Sequence, residues 1–141
     1  MDWAFCGCAL QHRSMSNYHN LDVWKLGHAL VLNVHSASKR IRGTEYTSLR
    51  SQMVRAAMSV PANLVEGSAQ ESTREFCRFI KIAINSAAEL AYHVLLAKDF
   101  QVTKPDSFNP LTAQTIKVRN MLCGLLRGVS RRTQTRNEQR S

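Results

Sequence analysis

The stretch Ser59-Val60-Pro61-Ala62-Asn63-Leu64-Val65-Glu66-Gly67 decides how this chain folds. It closes an apolar pattern that opens near Thr47, in which Leu49, Met53, Ala56 or Ala57, Val60 and Leu64 share one helical face. Pro61 stands inside that pattern and removes the amide that would bond to the Ala57 carbonyl, so a kink or local break is expected there. Asn63 and Glu66 lie three apart, on nearly one face, and Gly67 is placed as a stop. The spacing predicts a helix over about 47–67 with polar groups on an inward side.

Three further helices follow on either side. Upstream, Trp24, Gly27, Val31, Val34, Ser38 and Ile41 repeat at three- and four-residue steps, which predicts a helix over about 21–42. Asn20 or Asp22 is its expected cap, Lys39, Arg40 and Arg42 suit its negative pole, and Gly43 ends it. Downstream, Ser72-Thr73-Arg74-Glu75 reads as a capping box. Phe76, Ile80, Ala83, Ala87, Leu90, Val94 and Ala97 then form a seam over about 73–100, flanked by a second row, Ile84, Ala88, Ala91 and Leu95. Two apolar rows imply that this helix is covered from two sides. Asn109 with Pro110 opens a last helix over about 110–129, whose seam is Leu111, Thr115, Val118, Leu122, Leu125 and Val129. Short links between four such helices predict an all-α, up-down-up-down antiparallel four-helix bundle over residues 20–129. Residues 1–19 read as a flexible leader, within which Met15 is as good a start as Met1, and 130–141 as a disordered basic tail.

The chain has 141 residues, enough for one domain with a core of its own. Nineteen Lys and Arg against ten Asp and Glu leave +9, which makes a polyanion a plausible partner. The excess is uneven: Arg127, Arg131, Arg132, Arg136 and Arg140 against Glu138 place +4 in the last 15 residues. No continuous apolar run approaches the ~20 residues that cross a bilayer, so no membrane association is expected. The N-terminus lacks the basic leader of a secretory signal, and the cytoplasm is the expected compartment.

Reaction chemistry is not legible. A di-metal site in such a bundle needs Glu-x-x-His pairs, whereas Glu89 and His93 are four apart and His28 and His35 seven. Cys6-Gly7-Cys8 with His12 and His19 does not have zinc spacing, and Cys77 and Cys123 fall on core positions. Neither a metal nor a cofactor is therefore expected, and no enzymatic activity. Asn63 and Glu66 on the second helix should meet Ser86 and Glu89 on the third, with Arg55 or Arg78 as counter-charge. A polar network that fixes helix register is the reading of these four, and a ligand site around Glu66 is the alternative. On the first reading Glu66→Ala chiefly lowers stability or disturbs assembly.

Residues from about 19 to 100 resemble the four-helix-bundle family of 23S rRNA intervening-sequence proteins, to which the accessory variability protein of diversity-generating retroelements is structurally related. The resemblance rests on Leu21-Asp22-Val23-Trp24, on Leu49-x-x-Gln52-x-x-Arg55-Ala56-Ala57, and on the Ser59–Gly67 stretch. Glu75-Phe76-x-x-Phe79-x-x-Ile82-Ala83-x-x-Ser86-x-x-Glu89-Leu90 completes it. Val54-Arg55 departs from the family's two adjacent basic residues, and Asn85 from a common glycine. The resemblance implies a bacterial bundle that assembles as a ring-like homopentamer and binds nucleic acid through basic surfaces without catalysis. The expected function is a non-enzymatic, oligomeric basic protein contacting RNA or DNA backbones as an accessory factor. Lys39, Arg40, Arg42, Arg50, Arg55, Arg127, Arg131 and Arg132 are its candidate contacts. The alternative is a self-assembling interaction scaffold with no nucleic-acid affinity.

Overall fold

The structure, a computed structural model, describes residues 18–140. Four helices account for most of them: α1 (Asp22–Ser38), α2 (Thr47–Ser68), α3 (Thr73–Asp99) and α4 (Asn109–Glu138). Single 3-10 turns at Tyr18–Asn20, Thr44–Tyr46 and Pro105–Phe108 lead into α1, α2 and α4. The up-and-down order is visible in the side-chain pairs that join neighbours. Ser59 of α2 meets Ser86 of α3, Cys77 of α3 lies by Ser130 of α4, and Asn33 of α1 donates to Gln114 of α4. The first pair joins the middles of α2 and α3, the second sets the start of α3 against the late part of α4, and the third sets the late part of α1 against the start of α4, which closes the bundle.

The seams are where the periodicity placed them. Leu30, Val34, Met53, Ala57, Val60, Leu64, Ile80, Ala83, Ala87, Leu90, Val118 and Leu122 are fully buried. Burying a side chain such as Leu contributes about 1.5–3 kcal/mol relative to leaving it in water. The second row of α3 is less covered: Ile84 and Ala91 are half-buried, while Ala88 and Leu95 are exposed. In length and mean hydropathy α3 does reach what a bilayer span needs, although no unbroken apolar run does, and the bundle instead takes up its seam residues.

The helix ends differ from expectation in instructive ways. Neither Asn20 nor Asp22 caps α1. Leu21 occupies the cap position without a side-chain bond, and the first turn is held instead by Tyr18, whose carbonyl accepts from the Leu21 amide and whose ring meets Trp24 edge-on at 5.1 Å. α1 ends at Ser38, earlier than 42, and Gly43 follows with φ +103°, a left-handed conformation that suits glycine. Half of the Ser72 capping box forms: the Glu75 amide donates to Ser72 Oγ at 3.1 Å, but the Glu75 carboxylate turns to Arg78 at 3.0 Å. Asn109 does not cap α4; its amide donates to Asp106 Oδ1 in the preceding 3-10 turn.

Pro61 sits buried inside α2, and the helix is continuous through it. Gly67 does not end α2, which runs on to Ser68, nor is its φ positive. It is a contact glycine: a Cβ there would stand 2.7 Å from Phe79 Cβ and 2.9 Å from Phe76 Cδ2. The absent side chain lets the end of α2 lie against the start of α3.

α4 runs nine residues past Val129, to Glu138, so the arginine-rich end read as a disordered tail is mostly helix. The leader cysteines Cys6 and Cys8, with His12 and Met15, lie outside the described residues. Cys77 and Cys123 are half-buried and free.

Candidate nucleic-acid interface

The polar groups of α2 and α3 form a chain whose direction the hydrogen bonds fix. Ser86 Oγ donates its one proton to the Ile82 carbonyl at 2.9 Å. Across the 2.7 Å contact between Ser59 and Ser86, Ser59 must therefore be the donor. Asn63 Nδ2 donates in turn to Ser59 Oγ at 2.9 Å and to the Ser59 carbonyl at 2.7 Å. The network thus runs Asn63 to Ser59 to Ser86 to the backbone and contains no charged group. Ser59, its centre, was not among the residues picked out from the sequence.

Glu66 and Glu89 do not join it. Both are exposed; Glu89 lies 3.3 Å from His93 Nε2, and Glu66 makes no ion pair among the described residues. The reason is angular. A three-residue step turns about 60° round a helix, which carries Glu66 from the α2–α3 seam out into solvent. No buried carboxylate is left for Arg55 or Arg78 to neutralise, and Arg55 is exposed while Arg78 holds Glu75. Among the described residues no cluster of three or more metal-ligating side chains forms.

The candidate basic residues fall at opposite ends of the bundle. At the first, Lys39 and Arg42 line one surface pocket and Arg40 another. Arg50, also at this end, is already engaged: its Nη1 donates to the carbonyls of Ile41 at 3.0 Å and Gly43 at 2.9 Å, and its Nη2 to Thr47 Oγ1. It is a half-buried clamp on the α1–α2 connection, with little of its guanidinium left for a partner. The Glu45 carboxylate folds back over Gly43 in the same loop and subtracts from the local charge.

At the other end, the antiparallel α3–α4 pairing sets the start of α3 beside the finish of α4. Arg74, Arg78 and Lys81 are exposed on the first turns of α3, and Arg127, Arg131, Arg132 and Arg136 are exposed along the end of α4, with Arg140 exposed just beyond it. A pocket of about 320 Å³ between the two helices is lined by Thr73, Phe76, Val129, Arg132, Thr133, Arg136 and Asn137. Arg74 and Lys81 were not picked out from the sequence because they stand far from the candidates along the chain; only the fold brings them to the end where Arg132 and Arg136 lie.

Comparison with known proteins is consistent with this architecture. A family model described as 23S rRNA-intervening sequence protein matches residues 19–124, which extends the resemblance beyond residue 100 into α4. Among solved structures, the chain is similar to a protein of unknown function from the S23 ribosomal protein family of Bacteroides thetaiotaomicron. The TM-score is 0.69 at 16% identity, covering 74% of this chain and 97% of that one. At that identity the likeness is one of fold. No curated protein matches the sequence.

Proposed function

The chain belongs to the 23S rRNA-intervening sequence protein family, and from that starting point we propose that it is a non-enzymatic, self-associating basic bundle that binds RNA or DNA through the phosphate backbone. The observation that carries the reading is the outward display of arginine on the last turns of α4, in a chain of net charge +9. Arginines held on a helix are partly ordered before binding, so less entropy is lost when they engage phosphate.

Self-association is supported by large apolar groups left in water. Tyr92 (57%), Leu95 (50%) and Ile116 (51%) are exposed on α3 and α4, helices that lie side by side. This observation equally favours the second reading, a scaffold that assembles without nucleic acid. The mass of the purified assembly with and without nuclease, followed by gel shifts on rRNA fragments at two salt concentrations, separates them. Retardation that fades as salt rises supports the first reading. A stable oligomer that retards no fragment at low salt sinks it.

A further inference from the structure

We propose that the partner is double-stranded, and that it docks on the end of the bundle where α3 begins and α4 finishes, with backbone phosphates seated against Arg132 and Arg136. This rests on the nucleic-acid reading above and adds the form of the partner and the face that receives it.

Charge selects the face. The end of α4 presents four arginines, with Arg140 just beyond it, against Glu138, and the start of α3 adds Arg74, Arg78 and Lys81 against Glu71 and Glu75, the latter's carboxylate already held by Arg78. The Lys39–Arg42 end has Arg50 committed to backbone carbonyls and a glutamate folded into its loop. The pocket between Thr73 and Arg136 supplies shape as well as charge: two guanidinium groups on one wall, the Thr73 and Thr133 side chains, and the positive pole of the 27-residue helix α3. These groups suit a phosphate diester, with Phe76 and Val129 as the apolar part of the lining.

Aromatic placement selects the duplex. Single strands are held by bases stacking on exposed rings. At this end Phe76 and Phe79 are half-buried, and the Arg78 guanidinium already covers the Phe79 ring at 4.7 Å. The exposed rings Tyr92 and Phe100 lie far along α3, Tyr92 being roughly 27 Å from Arg74 at 1.5 Å per residue. By the same rise and turn, Arg132 and Arg136 stand roughly 6 Å apart along the pocket side of α4, while Arg127 and Arg131 lie round on its other side.

The test uses the full chain and three probes of equal length: an RNA duplex, a DNA duplex and an unpaired strand, titrated by fluorescence anisotropy over a salt series. We expect either or both duplexes to bind about tenfold more tightly than the strand. Arg132→Gln with Arg136→Gln should weaken duplex binding about tenfold and, on the DNA duplex, flatten the salt slope by about 1.8, two contacts at about 0.9 each. Lys39→Gln, Arg40→Gln and Arg42→Gln together should change affinity less than threefold. All five side chains are exposed, and a melt of each variant checks that the bundle is intact. Equal binding of strand and duplex, or loss of affinity in the Lys39–Arg42 variant with the Arg132–Arg136 variant unaffected, overturns the inference while leaving nucleic-acid binding standing. Failure of the wild-type chain to bind any probe overturns both.

Discussion

Gly67 shows what a single hydrogen atom in place of a methyl group does for this bundle. Alanine favours the helical backbone over glycine by about 1 kcal/mol, so on propensity alone Gly67→Ala would stabilise α2. The added Cβ would instead meet Phe79 Cβ at 2.7 Å, an atom fixed to the α3 backbone that cannot swing aside. We expect a net loss of about 1–3 kcal/mol, as for other overpacked sites, measured by urea unfolding; a gain in stability would refute the contact role. The polar residues of the founding stretch divide in the same way. Ser59→Ala leaves Asn63 and Ser86 each short of a partner and should cost about 1–3 kcal/mol. Glu66→Ala, at an exposed site without an ion pair among the described residues, should stay within about 0.5 kcal/mol. The sequence made Asn63 and Ser86 legible as inward groups because they share the apolar period. It misplaced Glu66 and Glu89 because one step of three residues is enough to leave the seam, and it missed Ser59 because a lone serine next to a seam residue gives no sign of which way it faces.

At the scale of elements, helix existence was readable and helix ends were not. Apolar period reports burial, so it predicts a helix while that helix has a neighbour and falls silent where the neighbour stops. α4 illustrates this: its seam ends at Val129, but the residues after Gly128 include neither glycine nor proline, and Arg and Gln are good helix formers, so the backbone continues to Glu138. Truncation after Ser130 should therefore leave the melting temperature within about 5 °C, since Thr133 is the one half-buried side chain that it removes among the described residues. The same truncation should lose most nucleic-acid affinity; retained affinity would place the interface elsewhere. Arg50 belongs at this scale too, because it ties two elements together. Arg50→Met should cost about 1–3 kcal/mol by freeing the Ile41 and Gly43 carbonyls, with affinity for nucleic acid unchanged in the folded protein, a split that equilibrium unfolding and anisotropy read separately.

For the whole molecule, the question is whether charge and assembly act together. One bundle end offers a few phosphate contacts, and the salt dependence of binding scales with their number. Copies joined through the apolar groups of α3 and α4 would set several such ends on one particle. Five copies, as the family resemblance implies, would gather about 20 positive charges from residues 127–141 alone, each copy contributing five arginines less one glutamate. Leu95 is half in water in the isolated chain, so Leu95→Glu should leave the fold intact while placing an uncompensated carboxylate in any interface formed there. We expect this variant to sediment as a smaller species with unchanged far-UV circular dichroism, and to bind nucleic acid more weakly and with a flatter salt slope than the wild type. A smaller species that keeps the full slope would mean that one bundle end makes all the contacts and that assembly serves another purpose. An unchanged mass would place the interface away from Leu95, and the exposed Tyr92 and Ile116 would be the next residues to charge.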